Sequence, residues 1–548
     1  MQASQNDQNL LREIGHIGLL FTAVGSIIGS GWLFGALNAA QAAGPASIIA
    51  WAIGAILIIL IGLCYAELGT MLPVSGGVVR FPHFAFGSFA SYTLGWITWL
   101  AAASVTSIEV VAALQYANNY LPWLQKLDAG GSPVLTLPGF VVAICMLALF
   151  SLVNVVGIGL FAKLNNVLVW WKLIVVVIVV IAFFAAAFSP AHFFQTVEGG
   201  FLPNGWSGVF SSVAGAGIIF SYLGFRQGVE LAGETKNPQR SVPFAIIGSV
   251  VITFLIYVAL QIAFIGALPP EALANGWAHI GESFQGVHGD VAATFGPLAA
   301  LAGILGLSWL AILLYIDAFI SPADTGLIFA TVTARISYAM GKNTNAPASL
   351  AKVNRRGVPW VSVILTFVAG TVFLLPFPGW QKLVGFVTSA TVLSFGSGPL
   401  ALLAMRKQLP DLKRPFRLPY ATFISYLAFL SANLIVYWSG WDTVWKLMLA
   451  TSLGYGVLIW HEWFYGDKTP SLDLKHGSWV IAWLAGLTLI SYFGSYPDIS
   501  AEAGNIGLLN GITSTAVMAV FSAAILWMAI CHRLPDEQAR SHLSASQS

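Results

Sequence analysis

Of the 548 residues, 57% are hydrophobic and 8% are charged, and the mean hydropathy is +0.80. Soluble domains carry about 25% charged residues, so a soluble enzyme is excluded and most of the chain belongs in lipid. The net charge of +2 gives no basic surface for nucleic acid.

The chain opens with MQASQNDQNLLREIGH, a polar stretch without the apolar core of a cleavable signal peptide, so residues 1–16 read as a tail. A helix needs about 20 apolar residues to cross a bilayer. Fourteen runs meet that need: spans 1 to 14, at 17–42, 46–72, 88–120, 138–157, 163–188, 207–232, 243–268, 297–340, 358–377, 380–405, 420–438, 441–465, 478–496 and 507–531. Span 8 is interrupted by Asp317, Pro322 and Asp324. Residues 532–548 form a second tail. With the N-terminus inside, 19 of the 24 lysines and arginines fall on the inner side, which puts both termini in the cytoplasm. Cys64, Cys145 and Cys531 lie in apolar runs without metal-ligand spacing and read as buried small hydrophobes. Trp99, Tyr120, Trp123, Trp438, Trp441 and Trp463 stand at span ends, as an interfacial aromatic belt would.

Two spans have glycine-rich centres. Span 1 contains VGSIIGSGWLFG (24–35), and span 6 contains GAGIIFSYLGFRQGVELAG (215–233). Glycine also serves close helix packing. Here the two clusters lie five spans apart, an odd offset that inverts one unit against the other, as in inverted repeats. Unwinding at Gly29-Ser30-Gly31 frees N–H groups, which are tolerated at membrane depth only beside protein, water or ligand. They form an anion site at a half-helix N-terminus. Freed carbonyls in span 6 suit a cation. A carboxylate acceptor beside an ammonium acceptor describes an α-amino acid.

These motifs resemble the amino acid–polyamine–organocation transporters over residues 10–420, and in particular the bacterial aspartate–proton symporter group. The resemblance rests on GSIIGSGWLFG (25–35), YAELGTMLPVSGG (65–77), FSYLGFRQGVELAGETKNPQRSVPFAI (220–246), ARISYAMGK (334–342) and RRGVPWVS (355–362). It implies an all-α polytopic membrane protein with a LeuT-like five-plus-five inverted repeat in a transport core at 17–405. Four additional C-terminal transmembrane helices, at 406–531, are peripheral. It implies a bacterial inner-membrane location, an amino acid and a proton as small partners, membrane lipid around the chain, and neither cofactor nor metal. By position, the Ser30 and Gly31 amides would hold the substrate carboxylate. The carbonyls of Ile27, Phe220 and Leu223 would hold its ammonium. Phe225 would gate the site, and Gly29 and Gly224 would permit unwinding through their backbone freedom.

Charges inside spans are costly and are usually functional or paired. Lys172 in span 5 matches a lysine of proton-coupled family members, and its expected role is proton coupling; the alternative is a fixed brace for span 1. Arg226 stands where many family members have an acidic residue, beside the substrate's side chain. A guanidinium there would present a planar fork to a carboxylate, favouring aspartate or glutamate. The alternative for Arg226 is a salt bridge to Glu230, Glu109 or Asp317. Glu109, Asp317 and Asp324 are each expected as a proton carrier, a counter-ion or a site residue. Glu67 and Arg80 read as structural pairing or gating near the inner face. Proton symport is the leading expectation; exchange of a neutral amino acid or amine, and a transporter-like nutrient sensor, stand beside it.

Overall fold

The computed structural model describes residues 14–545, apart from 75, 129–131, 157, 195–199, 284–291, 343–345, 355–357, 376–378, 466–471 and 497–503. Most of the N-terminal tail and the RRG of RRGVPWVS therefore lie outside the described residues. Among the described residues eleven helices are long and apolar enough to cross a membrane, twelve with the bent pair Gly205–Gly215 and Phe220–Glu230. One of them, Gly31–Met71, joins the second half of span 1 to span 2 through a tight turn at Gly44–Ala46, where Gly44 has φ +58°. The shorter apolar helices His16–Ile27 and Trp360–Phe373 supply the rest of span 1 and span 9. The chain is thus an all-α polytopic membrane protein. Among the described residues its one sheet is the hairpin Gln125–Leu127 with Pro133–Leu135.

Span 8 departs from expectation. Its break falls between Pro297–Ile304 and Ser308–Lys342, at Gly306 with φ +73°, and not at the charged residues. The helix runs unbroken through Asp317, Pro322 and Asp324, because both carboxylates find partners inside the bundle. The cysteines also differ: Cys64 is buried, while Cys145 and Cys531 lie on the outer surface of their spans. In the aromatic belt, Trp123 and Trp463 are exposed, but Trp99 and Trp438 pack inward. The Trp99 indole donates to Ser337 Oγ at 2.7 Å.

The centre of the bundle is built on spans 3 and 10, whose apolar windows are wholly buried. Both are rich in Ala, Ser, Thr and Gly, which lets neighbouring backbones approach. The windows of spans 12 and 14 are only 28% and 33% buried, which places these helices at the rim. Interhelical hydrogen bonds fix the C-terminal helices. Asn433 of span 11 accepts from Trp483 Nε1 of span 13 at 2.8 Å and donates to Ser522 Oγ of span 14 at 2.9 Å. Span 12 is held to span 3 by Tyr92 Oη on the Gly454 carbonyl (2.7 Å) and Trp96 Nε1 on the Ala450 carbonyl (3.0 Å).

One face of the bundle gathers basic residues and both described chain ends. Ile14 pairs with the segment after span 6, donating to the Glu234 carbonyl and accepting from Lys236 N. Glu67, fully buried, accepts from Arg406 Nε at 2.8 Å and from Leu418 N at 2.7 Å, with Arg414 Nε at 3.3 Å. Glu67 thus locks span 2 to the end of span 10, while Arg80 lies over the Phe84 ring at 5.6 Å.

On the same face the terminal helix Asp536–Ala545 packs on the helix Gly77–Phe86. The rings of His83 and His542 stack at 4.7 Å, and Gln408 Nε2 bridges the carbonyls of Ala85 and Leu534. Burial, then the neighbouring His542 and Arg80, push the His83 imidazole down to about 4, against a smaller upward pull from Asp473. His83 is therefore neutral in the docked state and would titrate near 6.5 once released. The released state binds more protons between these values, so docking is at full strength above about pH 6.5 and weakens as pH falls towards 4. Trypsin digestion at Arg533 and Arg540, taken relative to an exposed reference peptide cleaved at the same pH, is expected to rise from pH 7 to pH 5, and His83→Phe, which keeps the stack, should remove that rise.

Candidate substrate and coupling site

The chain leaves helical geometry at Ile28 (φ −82°, ψ 83°) and re-enters it with the helix Gly31–Ala43. Ser30 N donates to Glu109 Oε2 at 2.8 Å, and Ser30 Oγ accepts from Trp380 Nε1 at 2.9 Å. The Ile27 carbonyl takes Tyr257 Oη at 3.3 Å and Gly29 N at 3.0 Å. Backbone groups at the break are thus met from spans 3, 7 and 8, as buried backbone at membrane depth requires, while span 10 reaches the Ser30 hydroxyl.

Span 6 bends by 46° between Gly205–Gly215 and Phe220–Glu230. The break falls at 216–219, around Gly217 with φ +92°, and Phe220–Arg226 coils in tight turns. This corrects the expected roles of Gly29 and Gly224, neither of which has a positive φ. Both are needed for close approach. A Cβ at Gly224 would run into the main chain of Ser26 and Ile27, and one at Gly29 would sit 2.7 Å from Glu109 Oε1. The two interrupted spans therefore cross backbone to backbone.

A small cavity lies at this crossing. Of the expected site residues, Ile27, Phe220, Leu223, Gly224 and Glu109 line it. Ser26, Val105, Thr325 and Phe329 line it too, and were not anticipated. Helical spacing offered a signal: Val105 lies one turn before Glu109, and Phe329 one turn beyond Thr325, itself next to Asp324. Ser30 sits behind Glu109, and Gly31 packs against Ser221. Phe225 is not on the cavity wall; its ring packs on Phe395 at 5.0 Å.

Charge pairs surround the cavity. Lys172 Nζ meets Asp324 Oδ2 at 2.7 Å, the Gly25 carbonyl at 3.0 Å and Thr325 Oγ1 at 2.9 Å. Two hydrogen bonds and one ion pair thus brace span 5 to spans 1 and 8. Asp317 pairs with no cation; its Oδ1 accepts from Trp171 Nε1 (2.8 Å) and Ser321 Oγ (2.7 Å). Arg226 lies 3.6 Å from Glu230 Oε1, the expected alternative, and is not on the cavity wall. It is 1% exposed, and none of its three nitrogens makes a hydrogen bond among the described residues. Its guanidinium sits 5.9 Å from the ring of Phe329, which does line the cavity.

A cavity where two interrupted membrane helices cross, ringed by buried charge pairs, defines a broken-helix membrane permease. The chain belongs to the family described as amino acid permease, whose profile matches residues 14–459. It is 36% identical over 491 residues to the glutamate/serine transporter AimA of Bacillus subtilis (strain 168), covering 89% of this chain and 88% of that one. It is 34% identical over 530 residues to the aspartate-proton symporter of the same strain, covering 96% and 98%. The branched-chain amino acid permease BcaP of that strain is 28% identical over 469 residues, 82% of this chain and 93% of its own. The protein is accordingly a permease and not an enzyme, a multi-pass integral protein of the bacterial plasma membrane.

Proposed function

We propose that this permease takes up an acidic amino acid, aspartate or glutamate, together with a proton. Two relatives support this reading by name, a glutamate/serine transporter and an aspartate-proton symporter. The observation that carries the acidic preference is Arg226: a buried guanidinium, one aromatic ring from the cavity, with unfilled donors and only a 3.6 Å contact to Glu230. A buried cation with unfilled donors is costly, and a substrate carboxylate reaching it past Phe329 would relieve that cost. In this reading the Ser30 and Gly31 amides receive the α-carboxylate, and the carbonyls of Ile27, Phe220 and Leu223 receive the ammonium. Gly29 and Gly224 keep the two breaks in contact, and Phe225 moves with the gate.

Lys172 is the coupling residue: while protonated it ties the Gly25 carbonyl of span 1 to Thr325 and Asp324 of span 8, and losing the proton would release the Gly25 carbonyl. Both termini lie in the cytoplasm, a placement supported by the basic loops and by both chain ends meeting one face of the bundle. Residues 17–405 form the transport core, and 406–531 support its rim.

Proteoliposomes test this. A pH gradient alone, with no amino acid inside, should drive uptake of aspartate or glutamate, whereas a strict need for internal substrate would mark an exchanger. Arg226→Lys should weaken aspartate uptake about tenfold or more while sparing serine, since Lys lacks the planar fork. Equal losses for both substrates would defeat the acidic reading.

A further inference from the structure

We infer that Glu109 is an internal carboxylate that occupies the substrate's place at the span 1 break, and that it takes up a proton when substrate displaces it. This rests on the reading above that the α-carboxylate of an amino acid binds the Ser30 amide.

Glu109 reaches the break from span 3, is 1% exposed, and lines the cavity. Oε2 accepts the Ser30 N–H at 2.8 Å. Oε1 packs on Gly29, where a Cβ would come within 2.7 Å. Both oxygens thus rest on the two residues that open the half-helix Gly31–Ala43, a position where N–H groups and the helix dipole favour an anion. An amino acid bound there would put a second carboxylate on the same donor.

Among the described residues Glu109 makes no ion pair, and the cation nearest to it in effect, Lys172, is shared. The titratable groups around it are Lys172 on span 5, Asp324 on span 8 and Tyr257 on span 7. Lys172 is committed to Asp324, the Gly25 carbonyl and Thr325. The Tyr257 hydroxyl donates to the Ile27 carbonyl. Arg226 faces Glu230. Once the Ser30 amide passes to substrate, the Glu109 carboxylate is left buried beside another negative charge. A buried carboxylate without a partner neutralises itself. The proton comes from the solvent on the side that substrate enters, and forms an O–H bond on Glu109. That hydroxyl is then a donor and serves the substrate carboxylate. When substrate leaves on the other side, Glu109 gives the proton to that solvent and retakes the Ser30 amide. One negative charge occupies the break throughout, and Glu109 moves one proton with each substrate, separately from the proton on Lys172. Lys172 controls how firmly span 1 is held; Glu109 makes proton uptake conditional on occupancy.

Titration calorimetry with aspartate, on purified protein in buffers of differing ionisation heat, reads the protons taken up on binding without any transport step. Above the pH at which Glu109 titrates without substrate, wild type should take up about one proton per bound aspartate, and its affinity should fall about tenfold per pH unit. E109Q should bind aspartate with no proton uptake and no pH slope. Proton uptake that survives in E109Q, or that disappears in Lys172→Met while E109Q retains it, overturns the proposal. Should E109Q not fold, wild type still decides, because aspartate binding without proton uptake is equally fatal. If wild type binds neither aspartate, glutamate nor serine, it is the functional reading that fails first.

Discussion

Gly224→Ala is expected to reduce uptake to near background in proteoliposomes, although the protein inserts and purifies. The added methyl would meet main-chain atoms of Ser26 and Ile27, which have no rotamer by which to yield. Overpacking of this kind costs roughly 1–3 kcal/mol. Concentrated in the conformation where the two breaks cross, the same energy is worth about 5- to 150-fold in the population of that state. The control lies in the same span. Gly215→Ala meets nothing within 4 Å and should transport as wild type does. Comparable loss in both variants would show that span 6 resists any added bulk, and that the crossing is not the cause.

The second large effect concerns the brace. Lys172→Met leaves Asp324 buried and unpaired, and removes the bonds to the Gly25 carbonyl and Thr325. Both partners are essentially unexposed, at 0% and 1%. Removing one member of such a pair typically costs roughly 3–5 kcal/mol. The variant should therefore unfold at a clearly lower temperature in detergent and lose uptake driven by a pH gradient. Adding Asp324→Asn removes the stranded charge, so the double variant should recover most of the stability and none of the pH-driven uptake. Recovery of both would reduce Lys172 to a packing element; loss of neither in the single variant would end its coupling role.

The contrast among three glycines of span 6 shows where sequence reading stops. Gly215, Gly217 and Gly224 look alike in GAGIIFSYLG. Only Gly217 has the positive φ that marks the break, only Gly224 touches another backbone, and Gly215 faces open space. Chemistry gave each the same freedom, and the path of span 1 assigned the tasks. Likewise, the sequence showed that Lys172, Arg226 and several carboxylates must be accommodated in the membrane, but left their pairing open. Asp324 pairs with Lys172, Glu230 with Arg226, and Glu109, an expected site residue on the cavity wall, with a backbone amide instead of a cation.

What the linear chain determined by itself is the solvent of each segment: fourteen apolar runs, a polar tail at each end, and two runs whose centres glycine interrupts. Those follow from transfer free energies and backbone sterics, which act residue by residue. The cavity, its unanticipated walls at Val105 and Phe329, and the partners of every buried charge were decided only when the spans packed. A contact between helices depends on which faces meet, and in spans 3 and 10, buried on every side, hydropathy carries no facial preference to read.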